Sequence, residues 1–123
     1  LRHQQFVENI QNKSDTFTIE DQLILLMKLA DIGHILRPWK VHLYFVNAMN
    51  NERVNPLPIL ELPQDTINFN RTFVYDLLEI IQRINVSVFA ELYAKYEENI
   101  QNWIGIKDFI SINTFPNEDS LPI

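Results

Sequence analysis

Cysteine is absent from the 123-residue chain. That excludes disulfide scaffolds, zinc–thiolate centres and thiol nucleophiles, and leaves the redox compartment unread. Glycine occurs only at Gly33 and Gly105, so the phosphate-cradling loops that need several glycines are excluded. Basic residues are few: Lys plus Arg number 10 against 16 Asp plus Glu, a formal charge of −6. Nucleic acids and anionic lipid surfaces both select for the opposite balance, so neither is an expected partner. Long apolar runs are missing too. The longest, Leu23 to Met27, falls far short of the roughly 18 residues that span a bilayer. No basic-then-apolar leader opens the chain, which sets an intracellular, cytoplasmic expectation. Leu1 in place of methionine fits a processed or trimmed chain.

What is present is an ordinary soluble composition, 46% apolar and 21% charged, enough to bury a core. The periodicity is helical almost throughout and predicts an all-α, multi-helix bundle of four to six helices. Residues 3–12 put Phe6, Val7 and Ile10 on one face, and a polar break follows over Asn12–Asp15. Thr18 and Asp21 have capping-box spacing. The helix behind them, Leu23 to Ala30, is apolar on nearly every side. That predicts burial all round, against a partner or a further part of the domain. Gly33 is placed to end it.

Pro38 marks the next helix start, and His42, Phe45, Val46 and Met49 follow at helical spacing. Residues 50–66, with Pro56, Pro58 and Pro63, read as an extended loop. A long apolar stripe then runs from Thr72 to Ile100, with Asn85–Val88 as a weak point. The chain is expected to turn irregular beyond Gly105. These signals divide it into a helical domain over 1–110 and an irregular tail over 111–123.

Chemistry concentrates between Asp31 and Arg37. A carboxylate at the C-terminal end of an apolar helix faces the negative end of the helix dipole and a desolvation cost. A bound metal or Arg37 would offset both. His34 reads either as a catalytic residue or ligand or as a capping, solvated side chain. Phe45 and Phe73 are core aromatics or pocket walls. Asn70 has the position of an N-cap for Thr72 or Phe73. Ser14, Ser87, Ser111 and Ser120 lack a nucleophile-elbow context, and the carboxylate pairs Glu20-Asp21 and Glu97-Glu98 lie on predicted solvated faces.

The run Ala30-Asp31-Ile32-Gly33-His34, followed by Arg37-Pro38-Trp39, resembles the second metal-ligand segment of the class I 3′,5′-cyclic nucleotide phosphodiesterases. Asn70-Arg71-Thr72-Phe73-Val74 and Asn102-Trp103 follow in the family's order. The match runs from about Phe17 to Trp103 and corresponds to the C-terminal portion of a catalytic domain. The resemblance implies two-metal hydrolysis of cAMP or cGMP to the 5′-monophosphate, with zinc and magnesium or manganese as cofactors. It makes Asp31 a metal ligand and puts His34 at the border of the nucleotide pocket. His42, Phe45 and Met49 wall the base, Phe73 stacks on it, and Asn70 stands where the family's glutamine reads the purine edge. The family's other ligands come from His-Asn-x-x-His-x-x-Asp and a His-Asp pair. The histidines here are His3, His34 and His42, none in that pattern. Two expectations follow. Either further ligands lie upstream and the chain contributes to an enzyme, or it is a catalytically inactive phosphodiesterase-like scaffold that binds protein partners or a missing N-terminal half.

Overall fold

The computed structural model describes residues 3–12 and 17–112; their regular structure is all helical, with no strand among them. Six α-helices carry the fold: α1 (His3–Gln11), α2 (Ile19–Ile32), α3 (Trp39–Asn51), α4 (Leu62–Phe69), α5 (Tyr75–Ile84) and α6 (Val86–Ile112). Single 3-10 turns occupy His34–Leu36 and Ile59–Glu61, and a π turn, Asn70–Val74, joins α4 to α5.

Local chemistry explains most of the boundaries. Thr18 accepts from the Asp21 amide and Asp21 accepts from the Thr18 amide, both at 3.0 Å, which closes the predicted capping box on α2. Gly33 ends that helix by donating to the Leu29 carbonyl at 2.9 Å. A Cβ at Gly33 would stand 2.5 Å from that same oxygen, so the close approach admits no side chain. Pro38 precedes α3, and Pro63 sits in the first turn of α4, where its missing N–H costs nothing. The 50–66 segment is therefore only partly extended. Its open stretch is held by Asn50, whose amide donates to the Leu57 carbonyl and accepts from the Leu57 amide, both at 3.0 Å.

The predicted long stripe is interrupted twice. At Asn85 the backbone turns extended and the Asn85 side chain accepts from the Val88 amide, starting α6 afresh. At Asn70–Val74 the hydrogen bonding widens to i→i+5, a feature that often marks functional positions. Asn70 is not an N-cap. It lies within continuous helix, and its amide donates back to the Thr66 carbonyl at 2.8 Å. The expected irregularity after Gly105 is also overturned, because α6 runs through it to Ile112. Residues 111 and 112 are thus helical, and the rest of the expected tail lies outside the described residues, as do most of the predicted break residues before Phe17.

Two buried clusters meet along α6. The larger joins α1, α2, α5 and α6 around Phe6, Ile10, Leu77, Leu78, Ile80 and Ile100. The smaller gathers Val46, Leu62, Ile67 and Trp103. Asn99 ties α6 to the turn after α2, its amide donating to the Ile35 and Arg37 carbonyls, each at 2.8 Å. Within the described residues α2 is buried on one face only. Leu25 is buried there, whereas Leu23, Leu26 and Met27 are 56%, 61% and 71% exposed. One face of the helix meets the core, and none of the described residues covers the other.

Two substitutions test this account. Asn99→Ala leaves the buried Ile35 carbonyl and the part-buried Arg37 carbonyl without this donor and should cost about 1–3 kcal/mol. Gly105→Ala, where the added Cβ meets nothing within 4 Å in mid-helix, should stabilise by about 0.5–1 kcal/mol. Urea denaturation of the two variants measures both.

Candidate functional site

Ring nitrogens of Trp103, His42 and His34 form a buried line. Trp103, fully buried on α6, donates its indole N–H to His42 Nε2 at 2.7 Å. His42, equally buried on α3, has its Nδ1 2.8 Å from His34 Nδ1. An indole can only donate, so His42 Nε2 holds a lone pair and the His42 proton sits on Nδ1. That proton is donated to His34, whose own proton is left on Nε2. The chain of donors therefore runs one way, from Trp103 through His42 to His34. The rings also pack: His34 stacks on His42 at 4.9 Å and on Phe45 at 5.6 Å, while Trp39 meets Trp103 edge-on at 4.9 Å.

His34 lines a cavity of about 70 Å³ together with Met49, Thr66, Phe69 and Asn70, and Arg53 and Asp65 also border it. Arg53 and Asp65 form an ion pair at 2.8 Å, both roughly two-fifths exposed. Opposite character comes from Asn70, which is 1% exposed. Its amide nitrogen is committed to Thr66, and its Oδ1 is buried with no partner. The cavity wall thus contains a ring N–H free to donate and an oxygen free to accept.

Phe69 is shared with a second cavity, of about 200 Å³, lined by His3, Lys28, Asp31, Ile32 and Phe73. Phe73, on the π turn, meets His3 edge-on at 5.3 Å and Phe69 at 5.1 Å. Asp31 is the penultimate residue of α2 and is exposed. No ion pair joins it to Arg37 among the described residues. Lys28 lines this cavity and also the depression along α2 that Asp31 borders. No group of three or more His, Asp or Glu side chains suited to a metal occurs among the described residues. The Lys28 ammonium shares that depression with Asp31 and Glu20, a poor setting for a divalent ion. The residues present fit one ligand position and no complete centre.

Of the predicted residues, His34, Met49 and Asn70 reach the first cavity and Asp31 and Phe73 the second. Phe45 flanks the first through its stack on His34. His42 stands behind the wall, bonded at both nitrogens. Sequence reasoning missed Trp103 as the origin of the donor chain, the Thr66 carbonyl that fixes Asn70, and Phe69 between the cavities. The Trp103–His42 bond spans 61 positions, and no local pattern signals such a pairing.

No protein-family model matches the chain, and neither the curated proteins nor the solved structures compared with it include a match.

Burial holds both histidines neutral. Desolvation lowers the His34 pKa, and desolvation followed by the neighbouring His34 lowers that of His42 to about 3. Protonating His34 would also set two donors against each other across 2.8 Å, and protonating His42 would set its Nε2–H against the Trp103 indole N–H across 2.7 Å. A base whose folded pKa lies below its unfolded value of 6.5 stabilises the fold fully above 6.5, and this contribution is lost as pH falls towards 3. At pH 5 His42 alone should cost about 2 kcal/mol relative to pH 7.5. Urea denaturation across that range checks it. His42→Gln, which still offers Trp103 an acceptor, should flatten the profile, and an unchanged slope would assign the acid loss to other groups.

Proposed function

We propose that the chain is a phosphodiesterase-type module that binds a cyclic nucleotide and forms the base-facing side of the site. The observation that carries this reading is the convergence of Asp31, His34, Met49, Asn70 and Phe73 on two cavities that share Phe69. These residues come from α2, the 3-10 turn after it, α3 and the π turn. In this reading the Asn70 oxygen accepts from a purine N–H, the His34 Nε2–H donates to an adjacent ring nitrogen or carbonyl, and Phe73, 37% exposed, offers a stacking face. Asp31 supplies one contact on the phosphate side. Two-metal hydrolysis requires ligands beyond the described residues.

A second reading, a non-catalytic scaffold of the same ancestry, is favoured by two features. Lys28 sits beside Asp31, and an apolar face of α2 is left open. The partner in that case is a protein surface.

Calorimetric titration with cAMP and with cGMP separates the two. In the nucleotide-binding reading at least one of them binds saturably. Phe73→Ala then weakens it about tenfold or more, and Asn70→Leu weakens it while leaving the protein folded by circular dichroism. Absence of saturable binding for both nucleotides, with Asp31→Ala indistinguishable from the parent in stability and metal uptake, favours the scaffold.

A further inference from the structure

The π turn presents its residues to two different surfaces. Asn70 lines the small cavity described above, while Arg71 lines a groove of about 250 Å³ on α6, together with Tyr75, Tyr93, Tyr96, Glu97 and Ile100. None of these residues lines either cavity of the nucleotide reading. Arg71 and Tyr75 form one wall, four residues apart across the π turn and the start of α5. Tyr93, Tyr96, Glu97 and Ile100 form the other from α6.

The groove is unusually aromatic. The Tyr75 and Tyr93 rings each lie 6.1 Å from the Tyr96 ring, and Phe89 extends the row by stacking on Tyr93 at 5.4 Å. Two of the phenols are held protonated: burial pushes Tyr96 up to about 12, and Tyr93 is raised first by the Glu97 charge. Neutral, electron-rich ring faces attract cations, above all weakly hydrated ones. Glu97 adds a negative charge and is oriented by Gln101, which donates to it at 3.0 Å. Arg71 is exposed, and among the described residues no carboxylate lies within ion-pair distance of it. The groove thus offers a cation-binding aromatic and acidic wall facing a free guanidinium, and a guanidinium recognises phosphate or carboxylate. A simple anion would meet Glu97 and a simple cation would meet Arg71. A molecule with both charges satisfies both walls. The volume lies below the roughly 300 Å³ at which drug-sized pockets begin, which limits the occupant to a headgroup-sized molecule.

We propose that this groove binds a small zwitterion of the phosphocholine class, its quaternary ammonium against the tyrosine rings and Glu97 and its phosphate on Arg71. The assignment is independent of the nucleotide reading. The chemistry is shared by free phosphocholine and by the headgroup of a phosphatidylcholine surface.

The test is an NMR and calorimetric titration of the full chain with phosphocholine, choline and inorganic phosphate. Phosphocholine should bind saturably and shift the ring resonances of Tyr75, Tyr93 and Tyr96. Choline and phosphate should each bind about tenfold more weakly or worse. Arg71→Gln, at an exposed position, should reduce phosphocholine to the affinity of choline, and Tyr93→Leu should weaken both. Sedimentation with phosphatidylcholine vesicles distinguishes the sources. Co-sedimentation lost in Arg71→Gln identifies the lipid headgroup, and a chain that stays in solution while binding free phosphocholine identifies the soluble molecule. No saturable shift with phosphocholine, phosphate binding as tightly as phosphocholine, or binding unchanged in Arg71→Gln overturns the proposal.

Discussion

A buried indole N–H must find an acceptor, and in this molecule the Trp103 indole finds His42. Much else is arranged around that bond. It fixes which nitrogen of His42 carries the proton, and through His42 it fixes the proton on His34. It also binds α6 to α3 at the heart of the smaller cluster, where Trp103, Val46, Leu62 and Ile67 exclude water. Asn99, one turn earlier on α6, reinforces the same junction through two carbonyls of the segment that carries His34. The polar line and the apolar cluster support each other: burial makes the hydrogen bonds strong, and the hydrogen bonds make the burial of two imidazoles tolerable.

The π turn is the second organising feature. Widening the helix between α4 and α5 directs Asn70 inward, Phe73 towards α1 and Arg71 towards α6. Three neighbouring side chains thereby serve three surfaces. The orphan Asn70 oxygen comes from this arrangement, because the Thr66 carbonyl takes the amide N–H and nothing within the described residues takes the other end.

The all-helical architecture was legible from periodicity, and so were the local punctuation marks: the Thr18–Asp21 box, the Gly33 stop, the Pro38 start and the interruption at Asn85. These depend on residues within one turn of each other, where sequence and geometry are nearly the same information. The errors came from longer range. Asn70 has the composition of a cap, yet α4 continues through it because Thr66 and Ile67 bury the preceding turn. Gly105 reads as a terminator, yet α6 carries it where Trp103 holds the helix in place. Apolar residues all round α2 suggested complete burial, and hydropathy alone has no means of saying which chain would cover the outer face. Within the candidate site, Asp31, His34, Asn70 and Phe73 were singled out in advance, whereas their mutual placement rests on contacts between distant segments. The Trp103–His42 bond is the extreme case.

The long α6 also imposes an order on events during synthesis. α3, with His42 in place, leaves the ribosome well before Trp103 exists, and domains form as their last required segment appears. Until α6 is made, His42 has no indole to meet and the carbonyls of Ile35 and Arg37 have no Asn99. In that interval nothing fixes which of the two imidazoles holds the proton between them, and the wall that carries His34 has no defined pattern of donors. A growing chain therefore holds the pieces of its pocket early and acquires the pocket's chemical identity only when α6 docks.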